Sequence, residues 1–134
     1  MKLVLDTNVL ISGMYFEGVP AEILDLWADN RFMVYATPGI LKEYLRAIEE
    51  MDVKTRETLG PHWGKMLPKV CHFINDSQSS KKFSRDPDDD KFIHCAIDSG
   101  SDYLVTGDED LTNVSLEFDF KILSPRQFLN ILEQ

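Results

Sequence analysis

The chain has 134 residues, 43% of them hydrophobic and 28% charged, and a net charge of −9, which suits one globular domain spanning residues 1–134 with its own core. The sequence contains no run of the roughly 18 apolar residues that a membrane helix needs, and Asp6 interrupts the apolar start too early for a signal peptide. Cys71 and Cys95 lack the spacing of zinc ligands, so we expect reduced thiols in a cytoplasmic protein without membrane contact.

The predicted elements alternate between strands and helices along the chain. Short apolar runs typical of buried strands occur at residues 3–5, 32–35, 103–106 and 120–123. Apolar residues at helical spacing lie between and after these runs, at residues 9–11, 23–28, 40–48, 92–97 and 128–132. Glycine and proline at residues 60, 61, 64 and 68 predict only short helices between 54 and 80, and residues 82–84 are a candidate edge strand.

Several helices carry clear signals at their ends. Gly100 is placed to end the helix of residues 92–97. Three helices begin with a capping residue followed by proline, at Thr37-Pro38, Asp86-Pro87 and Ser124-Pro125. Strands that alternate with helices predict an α/β fold of three layers (α/β/α) around a central parallel sheet of four to five strands. In such sheets a ligand binds beyond the carboxyl ends of the strands, where the strand order reverses.

Two aspartates follow predicted strands directly. Asp6 ends the first strand, and Asp108 follows the strand at 103–106, so both are expected at the same edge of the sheet. Either one alone is equally well explained as a helix cap, because aspartate is a favoured capping residue. Two at one edge favour a functional site.

A second group of acids opens the helix after Ser84-Arg85. It consists of Asp86, Asp88, Asp89 and Asp90. Acids stabilise a helix N-terminus by roughly 0.3–1 kcal/mol each, which is the ordinary explanation. However, Asp89 and Asp90 also point towards the apolar face of the helix, and clustered, partly buried carboxylates are unfavourable unless a cation neutralises them. Helix geometry alone does not choose between Asp89 and Asp90.

An all-carboxylate set favours a hard divalent cation, Mg²⁺ or Mn²⁺, whose usual chemistry is at phosphate. Zinc would need histidine or cysteine, and His62, His72 and His94 show no ligand spacing. We interpret His94 as a half-buried helix residue rather than a ligand.

The charge is unevenly distributed. Residues 53–85 carry seven basic side chains against two acidic ones, a local balance of +5, which leaves −14 for the remainder. This pattern fits an acidic site beside a basic track for a nucleic acid, and it fits ordinary surface variation equally well. Trp63 and Phe73 are candidates for base stacking, although core packing is the simpler explanation for both.

Four segments in chain order together resemble a known family. They are DTNVLIS at residues 6–12, a helical Glu43, RDPDDDKF at residues 85–92, and VTGDEDL at residues 105–111. They resemble the PIN domain, and in particular its branch of toxins from toxin–antitoxin pairs. The resemblance spans nearly the whole chain and implies a PIN-like α/β/α fold. It also implies an endoribonuclease that uses Mg²⁺ or Mn²⁺ to cleave single-stranded RNA and leaves a 5′-phosphate.

The resemblance also implies roles for individual residues. Catalytic and metal-binding roles fall to four acids, Asp6, Glu43, Asp90 and Asp108, with Asp90 favoured over Asp89 by the alignment of the helix. Supporting roles fall to three further residues: Asn8 and Thr106 would orient the acids or a water, and Asp110 would be an additional acid close to the metal. Without the resemblance, Glu43 would be interpreted as a solvated surface residue. The family further implies an antitoxin partner and a homodimer.

Two other classes of function share parts of this pattern. Phosphatases with a nucleophilic aspartate, and phospho-acceptor receiver domains, also place an aspartate after the first strand. The phosphatases usually carry a second acid two residues later, where this chain has Asn8, and receiver domains pair acids after the first strand, where Asp6 stands alone. A non-catalytic PIN-like module that binds RNA or a protein is the remaining alternative.

Overall fold

The computed structural model describes residues 1–114 and 117–134. Within these residues the strands are β1 (Lys2–Leu5), β2 (Met33–Ala36), β3 (His72–Phe73), β4 (Tyr103–Val105) and β5 (Lys121–Leu123). The helices are α1 (Thr7–Tyr15), α2 (Val19–Ala28), α3 (Pro38–Thr55), α4 (Gly60–Val70), α5 (Pro87–Ser99), α6 (Glu109–Thr112) and α7 (Pro125–Leu132).

The strands form one parallel sheet in the order β3-β2-β1-β4-β5. From β1 the chain builds outwards through β2 and β3, and then crosses back to place β4 on the other side of β1. The order therefore reverses between β1 and β4, which is where a parallel α/β sheet opens a crevice at its carboxyl edge. With helices flanking the sheet, the predicted α/β/α fold is confirmed.

The core explains why the central strands are apolar throughout. Leu3, Val4 and Leu5 of β1 are almost completely buried, as are Leu104 and Val105 of β4. Strands covered on both faces have no solvent side, so they show continuous apolar runs instead of alternation. The sheet thus holds the residues that follow β1 and β4 on a rigid, buried base.

Local capping fixes the helix starts that the sequence predicts. The Thr37 side chain accepts a hydrogen bond from the Ile40 amide, and Asp86 accepts one from the Asp88 amide. Ser124 forms a capping box with Gln127. At the other end of α5, Gly100 adopts a left-handed conformation with φ 65°, which glycine tolerates without strain.

The middle of the chain differs from the prediction. Residues 82–84 form no strand, and the edge strand is β3 at His72–Phe73. The 82–84 segment is instead held as a loop by hydrogen bonds from its amides to Asp90. Before β3, helix α4 spans 11 residues although it contains Pro68. Packing against α3 accounts for a helix that the local sequence disfavours.

The two cysteines and Trp63 match the expectations of free thiols and core packing, whereas Phe73 does not pack in the core. Cys71 and Cys95 are buried free thiols, and burial raises the pKa of each to about 12. Trp63 is half-buried against the core, whereas Phe73 is exposed. Among the described residues, no helix combines the length and apolar character needed to cross a membrane.

Candidate active site

The candidate site begins where β1 and β4 end side by side. Leu5 is in register with Val105, and the Asp6 amide donates to the Val105 carbonyl at 2.9 Å. Asp6 and Thr106 therefore leave adjacent strands at the point where the strand order reverses. Asp6 is 5% exposed and Thr106 is fully buried, so both side chains lie beneath the surface of the crevice.

The Thr106 hydroxyl connects the two aspartates that the sequence places at this edge. It donates to Asp6 Oδ2 at 2.7 Å and accepts from the Asp108 amide at 3.0 Å. One buried hydroxyl thus fixes the orientation of the Asp6 carboxylate and the start of the loop that carries Asp108. The Asp108 side chain in turn accepts from the Asp110 amide at 2.9 Å and caps the short helix α6.

The Asp6 carboxylate lies in an environment that disfavours its charge. Burial raises its pKa, and the negative charges of Glu43 and Asp108 raise it further, while the hydrogen bond from Thr106 opposes the increase. Acids from three distant parts of the sequence therefore lie near enough at this edge for their charges to interact.

Asp89 is the most perturbed acid of the group. It lies in the first turn of α5, is 9% exposed, and its Oδ2 has no hydrogen-bond partner within the described residues. Its pKa is raised to about 7, first by burial and then by the charges of Asp108, Asp86 and Asp6. A buried carboxylate oxygen without a donor is costly, so a proton or a cation would stabilise Asp89.

Asp90 has a different environment from its neighbour. Its Oδ1 accepts from the amides of Phe83 and Ser84 at 3.0 and 2.9 Å, which fastens the 83–84 loop to α5. The resemblance favoured Asp90 for the acidic set, whereas these contacts favour Asp89. Successive helix residues point about 100° apart, and the packing of α5 directs residue 89 towards Asp6 and Asp108.

Glu43 lies inside the site rather than on the surface. Its neighbour Tyr44 is buried and donates to the Leu5 carbonyl at 2.6 Å, which anchors α3 beside the end of β1. The Glu43 side chain, 17% exposed, accepts from the Thr7 hydroxyl through Oε2 and pairs with Lys91 Nζ through Oε1 at 2.5 Å. The ordinary interpretation of Glu43 as a solvated residue is therefore wrong.

The remaining predicted residues lie at the margin. Asn8 and the side chain of Asp110 are exposed, and Asp110 contributes its backbone amide to Asp108. Sequence reasoning missed Thr7 and Lys91. The position of Thr7 directly after Asp6 and before the apolar run of residues 9–11 is the signal that would have indicated it, whereas no pattern in the sequence distinguishes Lys91 from a surface lysine.

The resemblance implies a divalent ion at this edge of the sheet. No three His, Cys, Asp or Glu side chains within residues 1–114 and 117–134 are arranged to hold a metal ion. The chemistry nevertheless fits, because in the described part of the chain Asp89 Oδ2 is buried without a donor, near the charges of Asp6 and Asp108. Hard cations prefer such oxygen ligands. An ion would have to draw these carboxylates closer together.

Two clefts adjoin the site. Lys91 lines both: one, of 290 Å³, also contains Asp90, Lys81 and Lys82, and the other, of 410 Å³, also contains Glu43, Lys42 and Arg46. Lys81 and Lys82, two of the seven basic residues in the 53–85 segment, thus lie in the same cleft as Asp90 and Lys91. His94 contacts the Lys81 carbonyl at 2.8 Å and shows no ligand environment.

The profile of the PIN domain matches residues 2–110, from β1 into α6, and so includes every acid described above. The chain belongs to the PIN-domain family. PIN domains are generally nucleases and usually use divalent metal ions.

Two individual proteins are similar to this chain. The chain is 31% identical to an uncharacterized protein of Methanocaldococcus jannaschii, over all of this chain and 93% of that protein. Its fold is similar to a chain in the crystal structure of VapBC2 from Rickettsia felis bound to a DNA fragment from their promoter. That likeness has a TM-score of 0.61 at 14% identity, covering 92% of this chain and 98% of the other. At that identity it shows the PIN fold alone.

Proposed function

We propose that this PIN domain is an endoribonuclease that cleaves single-stranded RNA with a bound Mg²⁺ or Mn²⁺. The observation that carries the proposal is Asp89, a buried acid at the carboxyl edge of the sheet near Asp6 and Asp108, whose Oδ2 has no donor among the residues that the structure describes. A buried acid lowers the stability of the fold, and this one lies where the strand order reverses. Both features are typical of a functional site in an α/β protein.

Asp6, Asp89 and Asp108 are the residues that would hold the ion, with Glu43 beside them. When bound, the ion supplies a Lewis acid that polarises the scissile phosphate and lowers the pKa of an attacking water. Thr106 keeps Asp6 in place through its hydrogen bond, so the carboxylate needs no further ordering. Lys81 and Lys82, in the adjacent cleft, would pair with phosphates flanking the cleaved bond.

The biological setting follows from the family. We propose that the chain forms one PIN domain over residues 1–134, works in the cytoplasm as the toxin of a toxin–antitoxin pair, and forms a homodimer. The support is membership of the PIN family and the likeness of its fold to a chain of the Rickettsia felis VapBC2 complex. Expression that arrests growth, with relief by the product of a neighbouring gene, would support the toxin assignment. Harmless expression of a folded, cleaving protein would overturn it.

The test of the nuclease is cleavage of labelled single-stranded RNA, with double-stranded RNA and single-stranded DNA for comparison. We expect cleavage with Mn²⁺ and none with EDTA. Asp89→Asn and Asp108→Asn should each lose at least about 100-fold, since even outer-shell partners of a metal contribute about 10–100-fold. Asp90→Asn, which keeps the oxygen that accepts from Phe83 and Ser84, is the matched control and should lose far less.

The results separate the proposal from its rivals. Full activity in Asp89→Asn and Asp108→Asn would overturn the assignment of the site. A folded wild type that binds RNA without cleaving it at any metal concentration would indicate a binding module. Covalent labelling of Asp6 by a phosphoryl analogue would indicate phosphoryl transfer, although Asp6 is buried and held by Thr106, which is unfavourable for a nucleophile.

A further inference from the structure

Lys91 is the one basic side chain that contacts the acidic set directly within the described residues. The Lys91 side chain is 33% exposed, and its ammonium lies 2.5 Å from Glu43 Oε1 and joins α5 to α3. Lys91 also follows Asp89 by two residues, so the same turn of α5 supplies a carboxylate and a cation to the site.

Both carboxylate oxygens of Glu43 already have a partner. Oε1 pairs with Lys91, and Oε2 accepts from the hydroxyl of Thr7, the residue after Asp6. Asp89 Oδ2, in contrast, has no partner in the described part of the chain. The acidic set is therefore divided. One side, at Glu43, already contains a cation, and the other, around Asp89, does not.

We propose that the Lys91 ammonium takes the place of a second divalent cation, so that the site holds one ion on the side of Asp6, Asp89 and Asp108. Glu43 is then a positioning residue that holds Lys91 and Thr7, instead of a metal ligand. The inference rests on the proposed function and deepens it.

The reason is electrostatic. Sites with two metals place the ions about 3.5–4 Å apart and need carboxylates that serve both. A second ion at Glu43 would have to displace Lys91 from Oε1, and the displaced ammonium would remain close to a doubly charged ion. Because the lysine is covalently attached to α5, its charge is present at any metal concentration. It offsets the charge of Glu43 before any ion binds.

Lys42 offers a matched control for this reasoning. It lines the same cleft as Glu43 and Lys91, lies on α3 beside Glu43, and is exposed. Removing its charge changes the net charge of the chain by the same amount as removing that of Lys91, without removing the ion pair to Glu43.

The experiment is a titration of the purified, metal-free chain with Mn²⁺ alone. Binding is measured by calorimetry and by the electron paramagnetic resonance signal of free Mn²⁺. We expect one ion per chain for the wild type, Lys42→Met and Lys91→Arg. We expect two for Lys91→Met, because Glu43 then lacks a cation. The double variant Lys91→Met/Glu43→Gln should return to one. Where Lys91→Met fails to fold, Lys91→Gln removes the charge but keeps a donor for Glu43, and it should bind two ions.

The outcomes distinguish this inference from the function on which it rests. Two ions in the wild type, or one ion in a folded chain with an uncharged residue at 91, would overturn the role of Lys91 and leave the proposed nuclease intact. A wild type that binds no Mn²⁺, with or without RNA, would overturn the metal-dependent function and this inference together.

Discussion

Replacing Asp89 by asparagine removes the charge of a buried carboxylate while nearly preserving its shape. In the wild type its Oδ2 has no donor in the described residues, and its pKa is raised to about 7 by burial and by Asp108, Asp86 and Asp6. An asparagine in its place would carry no charge for these three carboxylates to repel. We therefore expect Asp89→Asn to make the metal-free protein more stable at neutral pH while it abolishes cleavage.

The size and the pH dependence follow from the same pKa. Between pH 3.8 and about 7, Asp89 stays protonated in the folded protein but is ionised in the unfolded chain. The wild type therefore loses stability as pH rises through this range. Each pKa unit corresponds to about 1.4 kcal/mol, which gives a ceiling of about 4 kcal/mol. Because a carboxylate in a crevice keeps part of its hydration, we expect a gain of about 1–2 kcal/mol. The gain should be small near pH 4, grow towards pH 7 and stay constant above it.

The assay is urea denaturation in EDTA across this pH range, for the wild type and Asp89→Asn. Asp90→Asn is the control, since it removes the charge of the next residue but keeps the oxygen that accepts from Phe83 and Ser84. No such pH-dependent gain is expected for it. If Asp89→Asn is no more stable than the wild type at pH 7.5, or if its advantage does not depend on pH, the reasoning about the buried charge is refuted.

Three further predictions concern the same edge of the sheet. Thr106→Val leaves Asp6 Oδ2 without its donor and should lower the free energy of unfolding by about 1–3 kcal/mol. Thr106→Ser keeps the hydroxyl and should not. Equal stability of Thr106→Val and the wild type in urea would contradict this. Added Mn²⁺ should raise the Tm of the wild type as its concentration increases and leave the Tm of Asp89→Asn unchanged. Equal shifts in the Tm of the two proteins, measured by differential scanning fluorimetry, would argue against Asp89 as a ligand. Asp6→Asn should abolish RNA cleavage but retain the circular dichroism of the fold. Its stability relative to the wild type should increase as pH rises above 3.8, because the pKa of Asp6 is also raised. Cleavage at the wild-type rate would exclude Asp6 from the site.

Most of the architecture could be predicted from local sequence, because the interactions that define it are local. The caps at Thr37, Asp86 and Ser124 involve amides two or three residues away, and they fix the starts of α3, α5 and α7. The runs of buried apolar residues in β1 and β4 report a sheet covered on both faces. From these the parallel sheet follows, and with it the meeting of Asp6 and Thr106 at one edge.

The tertiary structure decided what depends on packing between distant elements. Asp89 and Asp90 both face inward from α5, and only the position of that helix against β1 and β4 directs Asp89 to the other acids and Asp90 to the 83–84 loop. The sequence around Glu43 is typical of a surface residue. In the structure the hydroxyl of Tyr44 anchors α3 to the end of β1 and so brings Glu43 to the site. The cation beside Glu43 comes from another helix, so no spacing along the chain could indicate it: an ion pair depends on distance in space.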